Sequence, residues 1–368
     1  MPVFMDLHVG QGVTAEQVAI AHQKDLAAQE KYNCKCLTYW VDEERGNAYC
    51  LIEAPNKEAV AKLHYNAHKQ LPAEIIEVDT RVVKAFLGRL QDPEIIDYVI
   101  DQKIKVFTGP AFRVILHLET NDVIQLSHQE GGAFSGSCLH NCNEIMHGCI
   151  AKYQGVVADH KGEALIASFQ TAMQAVLCAS EIKNVLKDQS DRIKLRISIH
   201  GGIPVDNNQE LFGNTLRLAG ILNGTSKNGS IVISATVKQL LDKADRNAGI
   251  NFAEVHCLSA ANEEFLTNLG AVFSEHWQNS DFKILECCKF MGVSTSQLYR
   301  KSVEATGSSA KALLLEFRLK KARQMLFSPV KNISQIAYDS GFNSPSYFSK
   351  CFHKRFGLQP TSYLKPNI

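Results

Sequence analysis

Two stretches near the C-terminus repeat one pattern at a spacing of 50 residues. "SQLYRKSVEATG" begins at Ser296 and "SYFSKCFHKRFG" begins at Ser346. Each follows a short apolar segment that ends in Gly, "FKILECCKFMG" in the first copy and "ISQIAYDSG" in the second. A helix, a tight Gly-containing turn and a second helix form a helix-turn-helix unit. Ser294 and Ser344 are predicted N-caps of the second helices. The repeat predicts two such units and an all-α fold here.

The second helix of the second unit has an apolar stripe. Phe348, Phe352 and Phe356 recur at i, i+4 and i+8, so they are predicted to form the buried face of that helix. Ser302 occupies the position in the first unit that matches Phe352. A polar residue at a core position predicts that the first unit packs less firmly than the second.

Basic residues are concentrated in the same region. From Phe282 to Ile368 there are 14 Lys and Arg against 4 Asp and Glu, whereas residues 1–281 hold 25 against 34. The formal net charge of the whole chain, +1, hides this asymmetry. A basic domain on an acidic body is typical of proteins that bind a polyanion. The alternative is a charged surface that is merely solvated.

A longer helical pattern, "SAKALLLEFRLKKARQMLF", lies between the two units. A helix of about 19 residues spans roughly 28 Å. This length is close to the roughly 34 Å that separates two major-groove faces on one side of DNA. The length of this helix is therefore compatible with two units that lie on one side of a duplex.

Residues 275–366 resemble the DNA-binding domain of the AraC/XylS family of transcriptional regulators. The most specific part is "ISQIAYDSGFNSPSYFSKCFHKRFGLQPTSYL", with its Gly-Phe turn and closing Gly-x-x-Pro-x-x-Tyr. The resemblance implies that the two units read double-stranded DNA through residues early in each recognition helix. Carried onto this chain, the base-reading positions are Ser296, Gln297, Arg300, Ser346, Tyr347 and Lys350, and the phosphate contacts are Lys301, Lys354 and Arg355.

The first 85 residues read as strand, helix, strand, strand, helix, strand. The strand segments are "PVFMDLHV", "CKCLTYWVD", "NAYCLIEA" and "EIIEVDTRVV", and the helices are "TAEQVAIAHQKDLAAQEKY" and "NKEAVAKLHYNAHKQ". This order predicts a ferredoxin-like sandwich.

His64 and His68 are spaced i, i+4 on the second of these helices, so they lie on one face. Two His on a polar surface are the alternative to a metal site. The segments "FMDLH", "YWVD", "CLIEAP" and "VAKLHYNAH" together resemble a small bacterial ferredoxin-like family that binds nickel. The resemblance implies nickel or another divalent transition metal as cofactor, with His8, His64 and His68 as ligands. Cys50 and Glu53 are weaker candidates.

Residues 105–257 resemble the class III nucleotide cyclase domain, through "AKYQGVVADHKGEALIASFQTAMQAVLCASEI", "RISIHGGIPV" and "LFGNTLRLAGILNGTSKNGSIVIS". The positions of the two metal-binding Asp of that family fall on Glu119 and Glu163, one methylene longer. The positions of its Asn and Arg fall on Arg217 and Ile221. Ile221 supplies no charge for the transition state, so we interpret this domain as a degenerate cyclase fold kept for dimerisation or ligand sensing.

The composition is that of a soluble globular protein, with 45% hydrophobic and 21% charged residues. No apolar run is long enough to span a bilayer, and the first residues lack a signal-peptide pattern. The 11 Cys have no zinc-finger spacing. Thiols without an export signal are typical of the reducing cytosol, so a cytoplasmic location with no membrane partner is expected.

Together these patterns predict a multidomain protein of α+β and all-α parts. The expected domains are a ferredoxin-like metal-sensing domain at 1–90, a degenerate cyclase-like α/β sandwich at 91–260 and a double helix-turn-helix domain at 261–368. The predicted function is a sequence-specific, non-enzymatic transcriptional regulator. It would bind double-stranded DNA, respond to a small effector or a metal ion, and form a homodimer. The alternatives are a nucleotide cyclase with an unusual metal site and a DNA-binding appendage, and a metal-storage or metal-sensing protein with a vestigial DNA domain.

Overall fold

A computed structural model gives the architecture of the protein. It describes residues 1–101, 103–120, 132–161, 164–189, 195–206, 209–225, 230–243, 255–327 and 332–364. Among these residues there is no helix that is both long and apolar enough to cross a membrane.

The N-terminal part is a four-stranded antiparallel sheet with two helices on one face. Its elements are β1 (Val3–Val9), α1 (Ala15–Ala28), a 3₁₀ turn (Gln29–Tyr32), β2 (Lys35–Asp42), β3 (Asn47–Glu53), α2 (Lys57–His68) and β4 (Glu74–Glu77), followed by α3 (Thr80–Leu87). The strand order is β2-β3-β1-β4. This is the winding of a ferredoxin-like sandwich, as the sequence predicts.

Strand β1 is buried on both faces because each face packs against a different layer. Phe4 belongs to the core under α1 and α2, and its neighbours on that face, Asp6 and His8, point the same way. Met5 and Leu7 belong to a second core, on the other side of the sheet. Alternate residues of one strand therefore serve two different layers.

A short hairpin follows α3 and packs back on the N-terminal core. Its strands are β5 (Tyr98–Ile100) and β6 (Ile104–Val106). Val106 and Phe107 are buried in the core under α1 and α2, and the Phe107 ring stacks on Tyr39 at 4.0 Å. These residues lie after the predicted boundary at 90/91, although they pack with the first domain.

The middle part is a six-stranded sheet. Its elements are β7 (Arg113–Glu119), α4 (Gly132–Lys152), β8 (Val156–Lys161), β9 (Ala164–Phe169), α5 (Ala172–Gln189), β10 (Arg196–Gly202), α6 (Gly213–Thr225), β11 (Ile231–Ile233), α7 (Ala235–Lys243) and β12 (Val255–Cys257). The strand order is β12-β11-β10-β7-β9-β8. Strands β7 to β10 repeat the winding of the N-terminal sheet, and β11 and β12 add parallel strands at one edge.

The N-terminal sheet and the middle sheet share one hydrophobic core. Met5 and Leu7 from β1 lie in the same cluster as Ile115 of β7 and Phe212, which precedes α6. The Phe212 ring stacks on Phe86 of α3 at 5.0 Å. The two sheets are therefore joined by buried apolar side chains.

The C-terminal part is helical. Its elements are α8 (Ala260–His276), α9 (Ile284–Met291), α10 (Thr295–Thr306), α11 (Ala310–Leu326), α12 (Ile333–Asp339), α13 (Pro345–Phe356) and α14 (Thr361–Leu364). Helices α9 and α10 form one helix-turn-helix unit, α12 and α13 form the other, and α11 connects them. The predicted N-caps are confirmed, since Ser294 accepts from the Gln297 amide at 3.2 Å and Ser344 from the Tyr347 amide at 3.3 Å.

The predicted aromatic stripe is the core of the second unit. Phe348, Phe352 and Phe356 are buried in a single cluster with residues of α11 and α12. The matching position of the first unit, Ser302, is also buried, and its hydroxyl donates to the Leu298 carbonyl at 2.7 Å. This bond satisfies the buried hydroxyl, so the polar residue costs less than its position suggests.

Helix α8 holds the helical part against the middle sheet. Leu218 and Leu222 of α6 share a core with Leu266 and Leu269 of α8. The close approach occurs at Gly270, where an added Cβ would lie 2.8 Å from the Ile221 side chain and 3.0 Å from that of Arg217. A side chain at position 270 would therefore require Ile221 and Arg217 to shift.

Candidate metal centre and nucleic-acid interface

The three predicted metal ligands meet in the N-terminal domain. His64 and His68 lie on one face of α2, and His8 projects from β1 towards that face. The ring centroid of His8 is 4.7 Å from that of His64 and 6.0 Å from that of His68, and the two rings of α2 are 5.1 Å apart. The strand and the helix therefore bring together residues 56 or more positions apart in sequence.

Two buried carboxylates that the sequence analysis did not identify complete the cluster. Asp6 Oδ2 lies 2.9 Å from His64 Nε2, and Asp25 Oδ2 lies 3.1 Å from His64 Nδ1. Both carboxylates are almost fully buried. A signal for each is present in the sequence, because Asp6 alternates with His8 on β1 and Asp25 falls on the apolar face of α1. An Asp at such positions is rarely buried unless it has a partner.

The charges of the cluster depend on one another. Burial favours neutral carboxyl groups, but the His64 imidazole outweighs it and holds the pKa of both Asp6 and Asp25 below its usual value. Burial also lowers the pKa of His64, but Asp6 and Asp25 reverse this effect and raise the pKa to about 10. Without an ion the cluster is thus a protonated imidazole between two carboxylates. A metal ion would supply the same positive charge in place of that proton.

The donor atoms on one side of His64 have the separation that a metal ion requires. His64 Nδ1 is 3.0 Å from His68 Nε2 and 3.1 Å from Asp25 Oδ2. Metal–nitrogen bonds of about 2.0–2.1 Å place donors about 3.0 Å apart at right angles and about 3.3 Å apart at tetrahedral angles. His68 Nδ1 is buried and makes no hydrogen bond within the described residues, and Asp25 Oδ1 lies 3.4 Å from His68 Nε2. The geometry fits a transition-metal ion held by Asp25, His64 and His68.

A second donor set lies on the other side of the same imidazole. The donor atoms of Asp6, His8, Cys50 and His64 all lie within 4.8 Å of one another. A metal-bound His generally donates its other nitrogen to a carboxylate, which fixes the ring. Asp6 is placed to do this for an ion beside Asp25. Glu53, the other weak candidate, instead lies 3.3 Å from the N-terminal amine, outside both sets.

The predicted base-reading residues form two exposed faces on the helical part. The predicted base-reading residues are all exposed and lie on the first two turns of α10 and α13, namely Ser296, Gln297, Arg300, Ser346, Tyr347 and Lys350. The helix N-caps hold these turns in a fixed geometry. Polar and basic side chains at the start of an exposed recognition helix can reach base edges in the major groove.

The predicted phosphate contacts differ among themselves. Lys301 and Lys354 are exposed. Arg355 is half-buried, and its guanidinium donates through Nε and Nη2 to the two carboxylate oxygens of Glu316, at 2.6 Å each. Arg355 therefore ties α13 to α11, a contact that competes with any phosphate.

The residues at the cyclase-like positions make structural contacts, some of them between domains. Glu119 is buried, and its carboxylate lies 3.2 Å from Arg196 Nη2 and 3.0 Å from Lys320 Nζ of α11. Burial opposes ionisation, but Lys320 and Arg196 hold the pKa of Glu119 at about 2. Ile221 packs against α8, and Arg217 donates to Asn214 Oδ1 at 2.9 Å. Glu163 lies outside the described residues.

Two family models match parts of the chain. The model described as "Helix-turn-helix domain" matches residues 287–366, and the one described as "Nickel responsive protein SCO4226-like" matches residues 4–78.

Curated relatives match mainly over limited regions. Histidine kinase P4 of Formosa agariphila is 37% identical over 106 residues, which are 29% of this chain and 8% of that protein. The Msm operon regulatory protein of Streptococcus mutans is 23% identical over 50% of this chain and 64% of that protein. The chain thus spans less than two thirds of the length of either relative.

Two solved structures are similar to parts of the chain. The crystal structure of SCO4226 from Streptomyces coelicolor A3(2) is 42% identical, with 21% of this chain and 94% of that chain covered and a TM-score of 0.20. An adenylate/guanylate cyclase/hydrolase from Silicibacter pomeroyi is 26% identical, with 36% and 82% covered and a TM-score of 0.31. The chain therefore carries an AraC-type helix-turn-helix domain at its C-terminal end and a domain similar to the nickel responsive protein SCO4226 at its N-terminal end, and cyclase domains are among the structural neighbours of its middle part.

Proposed function

We propose that this protein is a sequence-specific DNA-binding regulator of transcription whose DNA affinity responds to a metal ion bound in the N-terminal domain. The observation that carries the proposal is the presence in one chain of two exposed recognition helices on a basic domain and a buried cluster of imidazoles and carboxylates. The first can recognise double-stranded DNA, and the second can recognise a divalent transition metal.

The DNA-binding part of the proposal depends on α10 and α13. Their exposed first turns carry the base-reading residues, and Lys301 and Lys354 flank them for contacts to phosphates. Helix α11 contains 17 residues and connects the two units. We propose that both units contact one face of the duplex, in neighbouring segments of the major groove.

The metal-binding part depends on Asp25, His64 and His68, with Asp6 as the carboxylate that orients His64. Imidazole and carboxylate donors suit nickel, zinc and copper. The ion would replace the proton on His64, so binding would become weaker as the pH falls. His8 and Cys50 would supply further donors on the Asp6 side.

The path from the metal to the DNA-binding domain would run through shared cores. Strand β1 contributes Asp6 to the cluster and Met5 and Leu7 to the core between the two sheets. Helix α6 connects that core to the core beneath α8. Leu216 packs against the core between the two sheets, and Leu222 lies in the core beneath α8. A metal ion that shifts β1 would thereby bias the position of α8 and the helical part.

The proposed regulator has three functional units and forms a homodimer. The division into residues 1–90, 91–260 and 261–368 describes the three functional units, although the hairpin at 98–106 packs with the first. A homodimer would place two pairs of recognition helices on a repeated or palindromic operator. The DNA partner requires a cytoplasmic location in a bacterial cell.

A nucleotide cyclase remains the alternative function, and the geometry favours a regulator. Glu119, which would have to bind metal, already neutralises Arg196 and Lys320. Ile221 offers no hydrogen-bond donor where a developing phosphate charge needs one. We therefore propose that the middle domain is not an enzyme. ATP or GTP with Mg²⁺ or Mn²⁺ should give no cyclic product above background.

One experiment tests the proposed function. Genomic fragments are selected on the full-length protein with and without Ni²⁺, and the selected sites are then titrated at several salt concentrations. We expect specific binding that falls steeply with salt, because phosphate neutralisation releases counterions, and that changes with Ni²⁺. DNA binding that is absent under both conditions would refute the regulator, whereas binding indifferent to metals would refute only the sensor.

A further inference from the structure

The cluster of His and Asp side chains around His64 forms one wall of a cavity of about 490 Å³ between α1 and the sheet. Four residues of the two donor sets line it, namely His8, Asp25, Cys50 and His68. His64 does not line it, because its ring is fully buried between Asp6 and Asp25. An ion held by Asp25, His64 and His68 would therefore be backed by His64 and would face the cavity.

Three protein donors cannot satisfy the ion. A square-planar or tetragonal site has four positions, and an octahedral site has six. At least one position, and up to three, would remain for donors that enter from the cavity. Of the donor atoms on lining residues, His68 Nδ1 is buried and makes no hydrogen bond within the described part of the chain. His8 Nε2 lies 3.3 Å from Asp6 Oδ1, and Asp25 Oδ1 lies 3.4 Å from His68 Nε2. The wall of the cavity thus holds one donor atom without a hydrogen bond, beside the open positions of the ion.

The cavity has the volume of a small-molecule site. One water molecule takes about 30 Å³ in the liquid, and pockets for small molecules measure about 300–1,000 Å³. Val18, Ala21 and Ala48 contribute apolar surface, while Gln17 and Lys24 contribute an amide and an ammonium group. The lining suits a small molecule with a short apolar body and a negatively charged group.

We propose that this cavity binds a small amino- or hydroxycarboxylate as a chelate with the metal ion, so that the ligand of the N-terminal domain is a metal chelate rather than a bare ion. The carboxylate and the adjacent amine or hydroxyl would fill the open positions of the ion. Lys24 and Gln17 would bind the remaining polar groups. This inference rests on the proposed metal binding and adds the chemical class of the second ligand.

Added chelator should have opposite effects on a site for the bare ion and on a site for the metal chelate. The full-length protein is loaded with Ni²⁺ and titrated with L-histidine or citrate, and bound species are weighed by native mass spectrometry. A site for the bare ion loses nickel as free chelator is added, because the chelator competes for the ion. A site for the chelate keeps its nickel and gains the mass of the chelator.

Matched variants locate the second ligand. Ala21→Trp fills the cavity, and we expect it to bind Ni²⁺ but to lose the chelator mass, with about a tenfold weaker affinity for the chelate. Lys24→Gln should weaken the chelate in the same direction and leave the ion unaffected. Gln23→Trp, on the exposed side of α1, is the control and should behave as the parent does.

The mass measurements distinguish the chelate site from the proposed sensor. Nickel that binds with added chelator mass in the parent and without it in Ala21→Trp supports the inference. Nickel that binds alone and is stripped by both chelators overturns the inference and leaves the proposed sensor intact. Failure of the parent to bind nickel, with or without chelator, overturns both.

Discussion

Lys320 of α11 donates from Nζ to Glu119 Oε2 of β7 at 3.0 Å, across the boundary between the middle sheet and the helix that joins the two DNA-binding units. Glu119 is only 2% exposed and also faces Arg196 at 3.2 Å. One carboxylate therefore links a cation of its own domain to a cation of the DNA-binding domain. This pair and the packing of α8 on α6 are two contacts through which the middle domain can influence α11.

Removal of the Lys320 ammonium should loosen that link. Lys320→Met leaves Glu119 paired with Arg196, so the buried charge keeps one partner. We expect the free energy of unfolding in urea to fall by about 1–3 kcal/mol, the usual contribution of a hydrogen bond to a charged group. The change in DNA affinity caused by Ni²⁺ should also become smaller. Lys311→Met, on an exposed part of the same helix, is the control, and an equal loss there would argue against a specific link.

Ionised Glu119 should also make the free energy of unfolding fall as the pH is lowered below about 4.5. Its pKa is about 2 in the folded protein against an ordinary 4.5, so the unfolded chain binds the proton more readily. The contribution of Glu119 is therefore complete above pH 4.5 and is lost as the pH falls towards 2. Urea unfolding between pH 5 and pH 2.5 should show a smaller decline for Glu119→Gln than for the parent. Parallel curves would remove Glu119 as the cause.

Nickel binding should release protons and depend on the identified donors. The pKa of His64 is raised to about 10, so an ion must displace that proton at neutral pH, and affinity should rise as the pH increases from 6 to 9. Calorimetry in buffers of different ionisation enthalpy measures the protons released. His68→Gln and Asp25→Asn should each weaken binding by about tenfold or more.

Glu53→Gln is the matched control for those ligand variants. Glu53 was a weak candidate from sequence, but it contacts the N-terminal amine. Its replacement should leave the nickel isotherm unchanged. Nickel binding that survives in His68→Gln and Asp25→Asn while failing in Glu53→Gln would show that the ion lies elsewhere.

Three residues of α13 should respond differently to replacement by Ala. Lys354→Ala should weaken binding to all DNA sequences alike and reduce the slope of log affinity against log salt by about 0.9. Tyr347→Ala should mainly reduce discrimination between sites. Arg355→Ala should instead lower thermal stability, because it leaves Glu316 without its bidentate partner. A salt slope reduced equally by Arg355→Ala would show that this guanidinium leaves Glu316 for the phosphate.

Two turn glycines should respond differently to the same substitution. Gly292 and Gly341 have φ angles of +62° and +76°. A Cβ at Gly292 meets nothing within 4 Å, so Gly292→Ala should cost about 1–2 kcal/mol, the strain of a left-handed conformation. A Cβ at Gly341 would lie 2.2 Å from the Trp277 carbonyl oxygen, so Gly341→Ala should cost more. Equal midpoints in urea would contradict this difference.

Local patterns in the sequence determined the elements and much of their grouping. The spacing of Phe348, Phe352 and Phe356 was enough to predict a buried helical face, and Ser294 and Ser344 marked where two helices begin. The i, i+4 spacing of His64 and His68 placed both on one face of α2. Such features depend on a few neighbouring residues, which a single sequence displays directly.

Only the tertiary structure decided which distant side chains meet. Asp6 and Asp25 join His64 because β1 and α1 pack around α2, and Lys320 reaches Glu119 because α8 packs on α6 through Gly270. The same packing gives Arg355 an internal partner and returns the hairpin at 98–106 to the first core. Periodicity along the chain predicts which face of an element is buried, but the choice of partner depends on packing between elements far apart in sequence. For that reason the sequence showed only the His members of the cluster around His64, and it did not show the link between the domains.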